Sequence, residues 1–461
     1  MEKILEHKAH FWLVLICWSF IVFGCAFGDI LRHLQKIAEK LRPYAGTCLN
    51  KLWEKTMQKI RRKLTKALFI ITLPICVACQ NIASEDSHEE SDNDVKSVVI
   101  YYPHWHPYPH GDSWKGIGWT EYEYMRDTKP RFKGHKQPIV PLLGELDDSN
   151  PADVEKEIDL AVKYGVDVFL YDWYWYCGVK NMEEALEQGF LKAKNNKKIK
   201  FALMWANHDR RDAFRTDINK DYTPWLYSRH SESDMLKVID YCIEHYFRCS
   251  NYWKVDGKLY FNIYQPVHFV KEIGGVEKTR ALFKKINAKM KSEGLPEIHW
   301  ACMVQFDRDR EIAEKVGFDS ITTYLSYLMN SDKHDKNNPL FHYADFADGH
   351  RALWKKMSAS SIPYAPVVST GFDTTPRWRN DVDIPITKFK YPYNNIVYGK
   401  TPELFKKLLS DAKAVAEKSK AKYVTVYAWN EWSEGGYLLP TKSDGYSYLE
   451  VFGEVFGKDK K

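Results

Sequence analysis

Glu431 and Glu434 stand three positions apart inside Trp429-Asn-Glu-Trp-Ser-Glu-Gly435. Two carboxylates are what cleavage of a glycosidic bond asks for: one acid held protonated and one base held ionised. The tryptophans beside them, Trp429 and Trp432, offer rings on which a sugar face can stack. A strand leads into the motif, with Val424, Val426 and Ala428 alternating with Tyr423, Thr425 and Tyr427. Residues three apart on a strand point to opposite faces, so the strand must end before both acids can share a cavity. Gly435-Gly436 supplies the turn that curls the chain back.

Seven further stretches have the same apolar and aromatic character. They are 98–102, 166–175, 199–206, 258–264, 299–304, 320–325 and 364–369; with 423–429 they make eight candidate strands. Helical patterns fill most intervals. Asn150-Pro151 opens one, with Val154, Ile158, Ala161 and Val162 as its apolar stripe and Gly165 as its stop. Thr401-Pro402 opens the last, with Leu404, Leu408, Ala412, Val415 and Ala416 on one face. Others are expected over 182–194, 234–246, 279–292, 310–316 and 343–357. Eight alternating units argue for a parallel sheet closed into an α/β barrel, a (β/α)8 TIM barrel. An open doubly wound sheet would want a glycine-rich phosphate turn after its first strand, and here that strand runs into Tyr101-Tyr-Pro-His-Trp-His-Pro107.

Barrels of this class carry their chemistry at the C-terminal ends of the strands. Those ends deliver Tyr102, His104, Trp105 and His106, followed by Trp119 and Glu121, from strand one. Strand two delivers Asp172, Trp173 and Trp175, and strand three Trp205, Asn207 and Asp209. Asp373 and Arg377 follow strand seven, and Trp429, Asn430, Glu431, Trp432 and Glu434 end strand eight. Rings that stack on sugars, with amides and acids that hold hydroxyls, form a carbohydrate cleft. His104 and His106 are metal-ligand types, but no third ligand stands at a suitable spacing, so hydroxyl contacts or packing are expected and no metal or cofactor is implied.

Composition narrows the partners. Aromatic residues make up 15% of the 461, including 16 Trp and 29 Tyr, which leans toward sugar binding. A net charge of +6, from 67 basic and 61 acidic residues without a sustained basic stripe in the barrel, does not suggest nucleic acid. Nothing in the pattern asks for a partner subunit, and a monomer is expected. Only Cys177, Cys242, Cys249 and Cys302 fall in the barrel, without metal-ligand spacing; buried thiols are expected rather than a disulfide framework.

The N-terminus reads as an address. Lys59, Arg61, Arg62, Lys63 and Lys66 precede a short apolar run, 67–78, and then Cys79. This is the layout of a secretory signal. Cys76-Val-Ala-Cys79 resembles a bacterial lipobox, which implies lipidation at Cys79 and an outer-membrane or cell-surface location. The expected organisation is an upstream extension or membrane segment (1–56), a lipoprotein signal (57–79), an acidic flexible tether (80–95) and the barrel domain (96–461).

Several motifs, in order, resemble the WbsX-type family. They are Tyr101-Tyr-Pro-His-Trp-His-Pro-Tyr-Pro109, Trp119-Thr-Glu121, Lys129-Pro-Arg-Phe-Lys-Gly-His-Lys-Gln-Pro138, Met204-Trp-Ala-Asn207, Gly371-Phe-Asp-Thr-Thr-Pro-Arg377 and the glutamate motif. That family is often labelled a glycosyltransferase but is related to glycoside hydrolase family 99, and the resemblance implies a (β/α)8 barrel. Family 99 enzymes are similar in the Trp-Asn-Glu-Trp-x-Glu-Gly motif and cleave internal α-mannosidic linkages with retention. The resemblance implies that Glu431 deprotonates the sugar's own 2-hydroxyl, giving an epoxide-like intermediate. It implies that Glu434 protonates the leaving oxygen and then activates water. Two departures stand out: the hydrolases' His-x-Glu-Pro type motif is missing, and His208-Asp209-Arg210 replaces the usual Glu-Asn-Trp.

Three readings follow. The first is a lipid-anchored retaining glycoside hydrolase acting on extracellular polysaccharide. The second is a glycosyltransferase of surface-polysaccharide assembly, which the export signal opposes because sugar-nucleotide donors are cytosolic. The third is a non-catalytic glycan-binding lipoprotein.

Overall fold

Residues 94–211, 224–325, 339–377 and 396–457 are described by the computed structural model, apart from the side chain of Trp114. The leader with Cys79, and the tether up to residue 93, lie outside the described residues. All eight expected strands form: β1 (Lys96–Tyr101), β2 (Val168–Tyr176), β3 (Lys200–Trp205), β4 (Lys258–Ile263), β5 (Ile298–Met303), β6 (Ser320–Thr322), β7 (Val367–Ser369) and β8 (Tyr423–Tyr427). They run parallel in the order β7-β8-β1-β2-β3-β4-β5-β6. A parallel bridge between Ile321 and Tyr364 joins β6 to the segment entering β7, closing the barrel. The first strand lies beside the last, with Val98 opposite Thr425.

Register assigns each side chain to a layer, because residues opposite one another in a parallel ladder share a face. Val98, Leu170 and Asp172 belong to one face, Phe169, Tyr171 and Trp173 to the other. The second face packs on helices. The Tyr101 hydroxyl donates to Glu157 at 2.7 Å, and Glu157 lies on α1 (Pro151–Lys163). The barrel interior is polar at one level: Tyr423 reaches Tyr260 at 3.2 Å and Ser320 at 3.1 Å. Asn262 and His299 extend that chain at 3.0 and 2.7 Å.

Helix starts follow their sequence signals. Asn150 accepts from the Ala152 N–H and Thr401 from the Leu404 N–H, so α1 and the helix Pro402–Lys418 begin where expected. Three differences stand out, the first with a clear steric cause. Over 182–194 the expected helix breaks into a π turn, Ala185–Gly189, and a short 3-10 turn, Phe190–Lys192. There the Asp148 carbonyl approaches Gly189 so closely that a Cβ would stand 2.0 Å from its oxygen. Val162 is exposed rather than part of the α1 stripe. Two helices, Pro266–Ile273 and Ser447–Phe456, were not expected, although the first carries Pro266 in its first turn and a left-handed Gly274 at its end. Among the four barrel cysteines, all free, Cys242 and Cys302 are buried as expected, but Cys249 is half-buried and Cys177 exposed.

Candidate active site

The Gly-Gly turn folds the end of β8 back on itself. Asn430–Glu431 pairs antiparallel with Gly436–Tyr437, a 3-10 turn spans Trp432–Glu434, and Gly435 takes φ +70°, a conformation that favours glycine. Glu431 and Glu434 therefore converge on one cation, Arg377. Its Nη1 bonds Glu434 Oε1, and its Nη2 lies 3.7 Å from Glu431 Oε2. Nε and Nη2 also donate to Glu121 Oε1, at 3.2 and 3.1 Å. One guanidinium thus faces three glutamates from the ends of β1 and β8.

The glutamates differ in surroundings. The Glu431 side chain is 4% exposed and that of Glu434 21%, so Glu434 has more access to solvent. Burial, followed by the negative charge of Glu434, raises the Glu431 carboxyl well above the usual carboxylate range. Its Oε1 accepts from the Tyr324 hydroxyl at 2.8 Å, and its Oε2 has no hydrogen bond among the described residues. Burial also acts to raise Glu121, yet Arg377, His104 and Ser433 hold it well below the usual range. His104 Nδ1 lies 2.6 Å from Glu121 Oε2, with the Tyr102 hydroxyl within 2.8 Å of that nitrogen. Burial raises Asp172, which meets the same Tyr324 hydroxyl at 2.9 Å and whose Oδ1 has no hydrogen bond among the described residues. Tyr427 donates to Glu434 Oε2.

Strand alternation explains which expected residues stay out of this cluster. Trp173 and Trp175 lie on the helix side of β2, donating to the Tyr246 hydroxyl and to Asp234, both at 3.3 Å. Trp205 shares the face of Trp173 and packs edge-on against His230 and Phe269. Trp429 packs on Phe169 at 5.2 Å, on the same side. Their placement departs from the expected sugar contacts: Trp173 neighbours Asp172 in β2 and takes the opposite face, Trp175 and Trp205 share the face of Trp173, and Trp429 lies with Phe169. Trp432 stacks on Tyr437, Trp105 packs on Tyr122, and Trp119 joins Tyr108 and Tyr124 behind His104.

The two asparagines act as clips. Asn430 accepts from the Tyr102 N–H at 2.8 Å and donates to its carbonyl at 2.9 Å. Asn207 does the same to Gln265, at 2.7 and 3.1 Å. His106 sits between Asp148, at 2.5 Å, and Glu184, at 3.4 Å; against the effect of burial these acids lift it to about 10. Asp373 accepts from His135 and Gln137 rather than pairing with Arg377. Asp209 accepts from the Ser228 N–H.

Tyr324, Tyr427 and Ser433 were missed. Tyr324 follows β6, whose end the same strand-end rule would have examined. Beside it, Tyr264 meets the Tyr324 ring edge-on at 5.3 Å and borders a cavity of about 410 Å3 with His208, Asp209, Gln265 and His268.

The family model described as Glycosyltransferase WbsX matches residues 97–452. The chain belongs to the WbsX family. A curated relative from Xanthomonas campestris pv. campestris, "Uncharacterized protein WxcX", is 27% identical over 367 residues, covering 77% of this chain and 48% of the relative. The chain thus spans about half the length of the curated relatives it matches. A solved glycoside hydrolase-like protein, 14% identical, aligns over 79% of this chain and 95% of its own with a TM-score of 0.50, which shows the shared barrel. The GH99 endo-alpha-mannosidase from Bacteroides thetaiotaomicron, also 14% identical, covers 79% of this WbsX chain and 96% of its own, at a TM-score of 0.48.

Proposed function

We propose that this protein is a retaining glycoside hydrolase of extracellular polysaccharide, with Glu431 and Glu434 as its catalytic pair. The observation that carries this is the convergence of two buried or half-buried carboxyl groups on one guanidinium at a barrel mouth, with Glu431 Oε2 left without a hydrogen bond among the described residues. An orphaned carboxyl oxygen in a closed site is ready for a substrate hydroxyl.

The steps follow from the two groups. Glu431 takes the proton of the sugar 2-hydroxyl, whose oxygen bonds to the anomeric carbon. The glycosidic C–O bond breaks, and the leaving oxygen takes its proton from Glu434. Water then gives a proton to Glu434 and attacks the anomeric carbon, and Glu431 returns its proton to the sugar oxygen. Two inversions give net retention, and an α-mannoside-like linkage has the 2-hydroxyl in the required trans position. In the unliganded site burial, followed by the charge of Glu434, favours the protonated form of Glu431, and the base role requires that proton to leave before the 2-hydroxyl is deprotonated. Glu434, being more exposed, is the one that can meet a leaving group.

The decisive experiment compares Glu434→Gln and Glu431→Gln on a polysaccharide and on an aryl glycoside with a good leaving group. We expect both variants to lose polysaccharide cleavage and only Glu434→Gln to release the aryl group, in a burst followed by slow turnover, because the second step still lacks its base. Polysaccharide cleavage by Glu434→Gln at the wild-type rate would remove the acid role. The family's name favours a glycosyltransferase instead, and sugar-nucleotide consumption without hydrolysis would establish that reading. We also propose that the chain is held at the cell surface by a lipid on Cys79.

A further inference from the structure

Arg210 follows β3 by a few residues. Its backbone pairs with Leu226, the Arg210 N–H donating to the Leu226 carbonyl at 2.9 Å. The side chain turns inward, leaving the residue only 7% exposed. Its guanidinium lies over the Tyr174 ring at 5.3 Å, and Nη2 approaches Met182 Sδ at 3.6 Å. Among the described residues no carboxylate pairs with it. Its sequence neighbour Asp209 faces the Ser228 N–H and Arg229 instead. The contrast with Arg377, which faces three glutamates in the same barrel mouth, is complete.

A guanidinium stays charged in any protein setting, and burying it beside a ring and a thioether leaves most of its five donors unused. Tyr174 shares the inward face of Asp172 by strand alternation, and the charge of Arg210 is felt at Tyr102, His104 and Asp172. Arg210 therefore borders the carboxylate cluster on its β2 side. Tyr176, also within its field, has a hydroxyl without a hydrogen-bond partner among the described residues.

We propose that Arg210 is the anion-binding element of this cleft and that the substrate is an acidic glycan, whose carboxylate, sulfate or phosphate group completes the pairing of Arg210. A planar fork suits each of these groups bidentately. A sugar anchored there extends from the β2–β3 side toward Glu431 and Glu434. This inference takes the position of the cleft from the hydrolase reading, but its test is binding.

The test is calorimetric titration of the purified chain with four oligosaccharide probes of matched length: neutral α-mannan, phosphomannan, oligogalacturonate and carrageenan. We expect at least one anionic probe to bind about tenfold or more tightly than the neutral one, the gain of a charge-assisted pair. The probe preferred identifies the anionic group. Arg210→Met is expected to reduce that probe to the neutral level while melting no lower than wild type, and Arg210→Lys to keep part of the preference. The proposal is overturned if no anionic probe outbinds the neutral one in wild type, or if a folded Arg210→Met or Arg210→Lys variant keeps the full preference. Arg210-dependent binding without cleavage would leave this inference standing and remove the hydrolase reading. Cleavage restricted to neutral glycans would do the reverse.

Discussion

Tyr324 has one proton to donate and two carboxyl groups within reach of it, Glu431 at 2.8 Å and Asp172 at 2.9 Å. Both contacts can be hydrogen bonds only if one acid carries a proton of its own, which agrees with the upward displacement of both. The bond from Tyr324 favours the charged form of Glu431. Tyr324→Phe is therefore expected to raise the Glu431 pKa further, moving the acidic limb of the kcat/KM–pH profile to higher pH. A lost hydrogen bond to a charged group, about 1.5–3 kcal/mol, corresponds to a fall in kcat/KM of about 10- to 150-fold at neutral pH. An unmoved limb would show that Glu431 does not set it. Gly436 offers a second test at this scale. A Cβ there would stand 2.1 Å from the Tyr427 ring, whose hydroxyl donates to Glu434, so Gly436→Ala should displace that ring and lower kcat well before it lowers the melting temperature.

At the scale of elements, β1 and α1 share a buried acid. Burial holds Glu157 at about 8, against the bond from Tyr101. A folded-state pKa above the unfolded value of 4.5 means that stability is full below pH 4.5 and falls as pH rises through 8. At about 1.4 kcal/mol per pKa unit the loss is a few kcal/mol. Glu157→Gln should therefore melt above wild type at pH 8.5 and show no such gain at pH 5, measured by calorimetry; an equal gain at both would place the effect in packing. The strands were legible because each is a short apolar run between breakers, and their number dictated a barrel. The acids of the site were legible because they cluster at strand ends. Trp173, Trp175, Trp205 and Trp429 were not, since residue type says a ring is present and only register says which layer holds it. The break at Gly189 was hidden for a related reason: its cause, the Asp148 carbonyl, lies on another segment.

For the whole molecule, the proposed lipid anchor predicts that detergent phase partition recovers the full chain in the detergent phase and Cys79→Ser in the aqueous phase. Aqueous partition of both would remove the proposed anchor. Within the barrel, β1 meets β8, and the site is stitched across that seam. Tyr102 bonds Asn430 across 328 positions, and Ser433 bonds Glu121 across 312. A ribosome must therefore finish nearly all of the barrel before Glu431 and Glu434 can join Glu121 around Arg377. Shortened products that stop before β8 hold Glu121 and Arg377 but lack Glu431 and Glu434, and under the proposed mechanism are expected to be inert. Activity becomes a certificate that synthesis reached the last strand.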